Sequence, residues 1–355
     1  MNWKTKRLAD LITLERGFDL PKAARIPGNV PVISSGKVEG THNKAKIKGP
    51  GFAIGRATNL GRPRWSDMDY WPLNTTLYAK DFHGNNPRWL YYLFMVMDLS
   101  GYDSGSVQPM LNRNYISEIP IQVPSRKEQD SIVSCISALD DKIAVNNKAI
   151  SCSSSLNELA VKQILAETEK TTTLGEEIIL NYGKSLPVKS RIQGNVVVVG
   201  SGGIIGTHNE ALLNTPSIII GRKGSIGTIY WLDKPSFPID TTFWVESKRL
   251  PLEFVFYLLK AIDFSDLNTD SAVPGLNRNH AYDIKVPSVT DKQAKSVIER
   301  LQVFTRMIST LQQENQTLAR TRDELLPLLM SGKITVRDAE EASAEVGVDK
   351  HEVKE

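Results

Sequence analysis

Apolar positions recur along the chain in two different rhythms. Up to about residue 124 they fall in short clusters closed by turn residues, such as VPVISSG at 30–36 and PGFAIGRATNLG at 50–61. Clusters this short, bounded by Gly, Pro, Ser and Asn, predict strands, and the glycines inside the second predict a hairpin or strand–loop–strand. PRWLYYLFM at 87–95 carries Pro in its first turn and predicts a short helix. IPIQVP at 119–124 ends the globular part. From there the period changes. Ile132, Ile136, Leu139, Ile143, Asn146, Ile150, Ser153, Asn157, Ala160 and Ile164 follow one another in alternating steps of four and three. That is the heptad seam of a coiled coil.

The same two rhythms then run again. VVVVGSGG at 196–203, PSIIIGRKGSIGTIYW at 216–231, PLEFVFYLLK at 251–260 and IKVP at 284–287 repeat the first. Val297, Leu301, Phe304, Ile308, Leu311, Asn315, Leu318, Arg322, Leu325 and Leu329 repeat the second, each 165 positions beyond its partner. At an offset of 166, Leu8 meets Leu174, Gly17 meets Gly183, and GTHN at 40–43 meets GTHN at 206–209. Gly55-Arg56 meets Gly221-Arg222, Trp65 meets Trp231, and Pro72-Leu-Asn-Thr-Thr meets Pro238-Ile-Asp-Thr-Thr. The offset slips to 165 where LNRN at 111–114 meets LNRN at 276–279. A period this long is a whole domain copied once, not a solenoid repeat or a propeller blade.

A helix of about 40 residues spans about 60 Å and cannot bury its seam against its own small domain. The economical partner is the other copy, and a two-fold relation would lay the helices antiparallel. The expected class is α+β: a tandem duplication of a β-rich α/β domain followed by a long helix. The helices pair as an antiparallel coiled coil with pseudo-two-fold symmetry. The seam rests on Ile132, Ile136, Leu139, Ile143, Ile150, Val297, Leu301, Phe304, Ile308, Leu311, Leu318 and Leu325. Asn146, Asn315 and Arg322 on it either set its register or lie at an exposed end. Expected boundaries are 1–125 and 171–287 for the globular domains, 126–170 and 288–333 for the helices, and 334–355 for a tail. In that tail seven acids face Arg337, Lys350 and Lys354 with almost no large apolar residue, which predicts a disordered or loosely helical segment.

Composition narrows the class without naming a partner. With 41% apolar and 23% charged residues the chain is an ordinary globular sequence, and a net charge of +3 is mild. No apolar run approaches the roughly 20 residues of a membrane span, and MNWKTKRLADLI lacks the apolar core of a secretory signal. Two isolated cysteines, Cys135 and Cys152, suit a reducing cytoplasm better than a disulfide framework. The expected location is cytoplasmic.

Catalytic patterns fail simple tests. Asp240, Glu246 and Lys248 mimic the acid–acid–lysine set of metal-dependent nucleases, but the first copy has Asn74 at the matching place and no Glu-x-Lys after it. GSGGIIG at 200–206 has the wrong spacing for a dinucleotide loop. Phosphate-loop and zinc-ligand spacings are missing from the sequence, and His42 and His208 stand beside Asn, not a carboxylate. The expectation is a binder without a metal.

Charge suggests what is bound. Residues 1–125 hold sixteen Lys and Arg against ten Asp and Glu, whereas residues 171–287 hold eleven of each. In the first copy the bases gather at Lys44, Lys46, Lys48, Arg56, Arg62 and Arg64; in the second Arg222 and Lys223 lie near Lys189, Asn209 and Ser225. Arg reads guanine, Asn reads adenine and Lys serves phosphate, so these loops fit DNA, while solvated loops remain the plain alternative. Residues identical in both copies, namely His42-Asn43 with His208-Asn209 and Asn112-Arg113 with Asn277-Arg278, fit frame or phosphate roles. Positions that differ are the better base readers: Lys44 against Glu210, Ala57-Thr58 against Lys223-Gly224, Arg62 and Arg64 against Thr228 and Tyr230.

The order of these motifs, written twice and followed each time by a heptad helix, resembles the specificity subunit of Type I restriction–modification enzymes over about residues 5–333. The resemblance implies that each globular part is a target-recognition domain reading one half of a split, asymmetric site in double-stranded DNA. It implies that the helices set the half-site spacing and bind two methyltransferase subunits, with restriction and motor subunits joining through the complex. S-adenosylmethionine, ATP and Mg would then belong to the partners, and this chain would be no enzyme. A methylation-only orphan subunit, a coiled-coil scaffold without DNA, and a nuclease using Asp240, Glu246 and Lys248 are the competing readings.

Overall fold

A computed structural model describes residues 3–35, 37–102, 110–169, 171–264 and 275–344. The chain divides into two compact units, residues 1–144 with 315–355, and residues 145–314.

In unit 1, β1 (Lys4–Arg7) pairs antiparallel with β9 (Pro120–Val123). A four-stranded antiparallel sheet runs β2 (Thr13–Arg16), β8 (Thr76–Asp81), β5 (Gly51–Gly55), β6 (Pro63–Ser66). A three-stranded sheet sets β3 (Val30–Ser34) between antiparallel β4 (Lys37–His42) and parallel β7 (Trp71–Pro72). The predicted short helix is α1 (Pro87–Val96), capped by Asn86, whose side chain accepts from the Arg88 and Trp89 amides. Its Trp89, Leu90, Tyr92, Leu93 and Phe94 pack on Phe52, Ile54, Leu77 and Ala79 of the larger sheet. Each such burial is worth about 1.5–3 kcal/mol. α2 (Arg113–Ile116) follows, then the long α3 (Arg126–Glu167).

Unit 2 repeats the plan. β10 (Thr172–Thr173) and the single turn α4 (Leu174–Glu177) lead into β11 (Ile178–Tyr182). β12 (Val196–Gly200), β13 (Gly203–His208), β14 (Ser217–Gly221), β15 (Ile229–Leu232), β16 (Ser236–Pro238) and β17 (Thr242–Ser247) come next. After them stand α5 (Leu252–Lys260), α6 (Arg278–Tyr282), β18 (Lys285–Val286) and the second long helix, α7 (Asp291–Met330). The sheet orders are β11-β17-β14-β15 and β13-β12-β16, with β10 on β18, strand for strand the topology of unit 1. Phe254, Val255, Tyr257, Leu258 and Leu259 of α5 fill the core against Ile218, Ile220, Phe243 and Val245.

The long helices are shared between the units. Unit 1 takes the first part of α3, whose Ile132 and Ile136 join its core, and the last part of α7, through Leu325, Leu326, Leu329 and Met330. Unit 2 takes the rest of each, through Val161 of α3 and Ala294, Val297 and Leu301 of α7. The pairing in unit 2 is antiparallel: Asn146 donates to Glu314 at 2.9 Å, and Gln293 donates to Thr168, just past the end of α3, at 3.4 Å. Ile132, Ile136, Leu139, Val297, Leu301, Leu318 and Leu325 are buried, and Ile143, Ile150, Phe304, Ile308 and Leu311 half-buried. The three polar seam residues differ: Asn146 is buried, Asn315 and Arg322 half-buried.

One expectation needs correction. Residues 336–344 form α8 (Val336–Ala344), not a disordered or loose tail. Thr335 and Asp338 exchange hydrogen bonds at its start, and Ala339 is fully buried with Ile334, Val336 and Ala342 against the core of unit 1. A Thr-x-x-Asp cap and small apolar residues three apart suffice for one short packed helix. Residues 345–355 lie outside the described residues.

Candidate nucleic-acid interface

Motifs written twice, and scattered along the sequence, meet at one place in each unit. The Thr75 carbonyl accepts from the Arg56 and Ala57 amides at 2.9 and 3.2 Å, and Thr241 does the same for Arg222 and Lys223 at 2.9 and 3.1 Å. The Arg56 carbonyl then accepts from Leu111 at 2.8 Å, as Arg222 does from Leu276 at 2.8 Å. The Pro-x-x-Thr-Thr, Gly-Arg and Leu-Asn-Arg-Asn stretches are therefore three strokes of a single scaffold.

The GTHN turn belongs to the frame as well. His42 and His208 are 5% and 6% exposed, so their rings do not reach a surface where DNA could lie. Their Nδ1 atoms accept from the Ile26 and Ile192 amides at 3.0 and 3.1 Å, and each ring stands edge-on to an aromatic, Trp71 or Phe237. A Cβ on Gly28 would come within 2.6 Å of the His42 carbonyl, and one on Gly194 within 2.5 Å of the His208 carbonyl, which accounts for glycine at both places. Of the frame and phosphate roles expected for these histidines, their burial supports the frame. Asn43 and Asn209, one step on, are exposed.

Asn112 and Asn277 are helix caps. Asn112 accepts from the Asn114 amide at 3.0 Å; Asn277 accepts from the Asn279 and His280 amides at 2.9 and 3.4 Å. Such caps contribute about 1 kcal/mol each. Their oxygens are occupied inside the frame, which supports the frame role of the two expected for them.

The arginines beside them differ sharply between the units. In unit 1, Arg16, Arg56 and Arg113 line a cleft of about 420 Å³ with Leu77, Met110, Leu111 and Asn112. The Arg56 guanidinium is held below the usual arginine range, first by burial and then by the charge of Arg16. In unit 2 the place of Arg16 is taken by Tyr182. The guanidinium groups of Arg222 and Arg278 lie 5.1 and 5.2 Å from the centre of its ring, and Arg222 also donates to the Asp240 carbonyl at 2.7 Å. Neither Arg16 nor Tyr182 is apparent from the repeat. The signal lay in the residue before Gly17 and Gly183, the last of β2 and of β11, where two well-matched copies disagree.

The remaining basic candidates sit on exposed turns. Lys44, Lys46, Arg62, Arg64, Lys189, Lys223, Thr58 and Ser225 are exposed, and Lys48 stands 3.8 Å from Asp69 while almost fully solvated. Lys46 lies over the Phe18 and Trp71 rings, so its stem has an apolar seat and its charge a set position. Trp65 is half-buried under the Arg88 guanidinium and Trp231 packs on Phe256, so both are part of the core edge. Thr58 has a φ of 56°, a left-handed conformation that a β-branched residue seldom adopts.

Away from the loops, Asp140 of α3 joins three partners of unit 1. It accepts from Arg322 of α7 at 2.8 Å, from the Tyr92 hydroxyl at 2.8 Å and from Arg88 at 3.5 Å. Burial opposes the Arg322 charge, but the bonds to Asp140 and Asp323 outweigh it and raise its pKa. Burial first, then the Asp140 charge, pushes the Tyr92 hydroxyl well above the ordinary tyrosine range.

No helix among the described residues is long and apolar enough to cross a membrane. The fold is similar to the crystal structure of the Type-I restriction-modification system S subunit from M. genitalium, with a TM-score of 0.62 and 20% identity over 93% of this chain and 96% of that one. A structure from a study of complex assembly and conformational transition of the type I R-M system scores 0.40 at 13% identity, over 92% of this chain and 97% of that one. The HsdS subunit from Thermoanaerobacter tengcongensis scores 0.34 at 13% identity, over 94% and 97%. Neither adds to the argument from the first. No curated protein sequence matches the chain. Residues 1–151 and 159–320 each match the Type I restriction modification DNA specificity domain, and with that match over both copies of the repeat the chain belongs to this family, the DNA sequence-specificity subunits of restriction–modification complexes.

Proposed function

We propose that each unit reads one half of a split, asymmetric site in double-stranded DNA, and that α3 and α7 set the spacing and dock two methyltransferase subunits. The observation that carries this reading is a common frame bearing different surface residues. The buried histidines, the asparagine caps and the threonine carbonyls recur in both units, while Lys44 faces Glu210 across the repeat, Thr58 faces Gly224, and Arg62 and Arg64 face Thr228 and Tyr230. Two readers that differ only at their loops give an asymmetric target, where identical readers would give a palindrome. Base readers are accordingly Lys44, Thr58, Arg62, Arg64, Lys223 and Ser225. Lys46, Lys48, Arg56, Arg113, Lys189, Asn43, Asn209, Arg222 and Arg278 serve the phosphate backbone or position the loops. Docking on the helices is supported by Val145, Leu156 and Leu159, which leave α3 54–65% exposed outside the seam. Methyl transfer from S-adenosylmethionine and ATP- and Mg-dependent cleavage fall to the partner subunits.

The test is to co-express the chain with its methyltransferase subunit and map N6-methyladenine across the host DNA. A split motif with a constant gap is expected. A complex that forms and binds its cofactor yet leaves DNA unmodified would return the basic loops to ordinary surface.

A further inference from the structure

We propose that Arg16, Arg56 and Arg113 form a pocket for one backbone phosphate of the DNA bound by unit 1, and that in unit 2 Tyr182 takes the place of the first of these arginines. Among the described residues, neither Arg16 nor Arg56 pairs with a carboxylate. Arg113 gives Nη1 to the Leu14 carbonyl at 3.1 Å, a neutral acceptor. The nearest acid in sequence, Glu15, is bonded by Lys80 at 2.6 Å and the Tyr78 hydroxyl at 2.9 Å, and the charge of Arg113 acts on it from further away. Three arginines thus line one cleft, and among the described residues its other polar lining residue, Asn112, has its oxygen committed as a helix cap. Burial first, and then the charge of Arg16, makes the Arg56 charge costly to hold, and an anion entering the cleft would offset both. A phosphodiester supplies the anion in a shape that guanidinium forks match.

Unit 2 has an aromatic at the matching place in the repeat. The Tyr182 ring stands where a third cation would be, and its π face takes the charge of Arg222 and Arg278. The Nε–H groups of Arg222 and Arg278 are buried without a hydrogen-bond partner, so the contrast with unit 1 is one of charge count, two arginines against three. The asymmetry agrees with the charge excess of residues 1–125 over residues 171–287. The proposal, which rests on the reading that unit 1 binds duplex DNA, deepens it to a named contact.

The test uses the complex with its methyltransferase subunits and DNA carrying the mapped site. Arg16 is exposed on the edge strand β2, so Arg16→Gln should fold. It is expected to weaken binding about tenfold, equally on every sequence, and to flatten the salt dependence by about 1 in the log–log slope. Arg16→Lys should keep that slope, and Tyr182→Gln, which removes an aromatic and no cation, should not flatten it. Single neutral methylphosphonates are then placed along the half-site of unit 1. One position should cost the wild type about tenfold and cost Arg16→Gln nothing further. Independent, multiplying losses, or a wild-type slope in Arg16→Gln, would overturn the pocket and leave sequence reading intact. Absence of salt-dependent binding by the wild-type complex would overturn both.

Discussion

In unit 1, Asp140 of α3 holds Arg322 of α7, Arg88 and Tyr92 of α1 by charge-assisted bonds. At the matched place in unit 2, Asn157 of α3 meets the Tyr257 hydroxyl at 3.3 Å, a neutral bond between buried groups. Asn157 lies 165 positions before Arg322, and Tyr257 lies 165 after Tyr92, so the two junctions are one design with different chemistry. The same contrast recurs at the interface, three arginines on a cleft in one unit and two arginines on a tyrosine in the other. A duplicated domain can let its polar contacts drift while its apolar frame stays, because buried volume is constrained on all sides and a surface or junction charge needs only one compensating partner.

The largest effect should come from separating the units as readers. Exchanging residues 171–285 for the corresponding part of another such subunit is expected to replace one half of the methylated motif completely and leave the other half unaltered. Methylation mapping of the exchanged protein reads this directly. A change in both halves would break the comparison at its root, since neither unit would then be an autonomous reader.

A smaller effect separates the junctions. Asp140→Asn leaves Arg88 with only the solvated Asp67 at 3.9 Å and Arg322 with only Asp323, in a setting where the side chains of Arg88, Asp140 and Arg322 are about one-fifth exposed. The expected cost to unit 1 is about 2 kcal/mol, below the 3–5 kcal/mol of a fully buried pair because water still reaches it. Asn157→Ala should cost unit 2 about 1 kcal/mol, the worth of one neutral hydrogen bond. Hydrogen exchange resolved to each unit measures both, and high salt should narrow the gap from the charged side alone. Equal costs at all salt concentrations would mean that packing, not charge, governs both junctions.

These contrasts divide what could be read in the sequence from what could not. The duplication, the strands and the seam were legible because each is a periodic apolar pattern, and burial enforces period. GTHN was legible as a repeat with a frame or phosphate role, but its partners were not, since Ile26 and Trp71 come round the His42 ring only in the fold. The Arg16 cleft was illegible for a topological reason. Arg16, Arg56 and Arg113 lie far apart in the chain, and only the order β2-β8-β5, with Leu111 bonded to Arg56, brings them together. α8 was missed because a helix that needs one buried alanine leaves almost no hydrophobic signature.

The smallest expected effect lies in one turn. Thr58 sits in left-handed conformation at a φ of 56°, and the matched residue of unit 2 is Gly224 at 81°. The turns close alike, although Asn59 is also left-handed at a φ of 46°: Gly61 donates to the Gly55 carbonyl at 2.9 Å, Gly227 to Gly221 at 2.9 Å, and a side chain ties each turn to a serine carbonyl, Asn59 to Ser35 and Thr228 to Ser201. A β-branched residue in this conformation costs about 1–2 kcal/mol, while glycine gives back part of that through a freer unfolded chain. Thr58→Gly should therefore stabilise unit 1 by about 0.5–1 kcal/mol, seen as slower hydrogen exchange around residues 51–66. Strain that persists on a loop facing a ligand is expected to serve that ligand. The same variant should accordingly bind the half-site of unit 1 several-fold more weakly while the half-site of unit 2 is read as before. Stabilisation without loss of affinity would assign Thr58 to the frame, and the reading surface of unit 1 would contract to its exposed lysines and arginines.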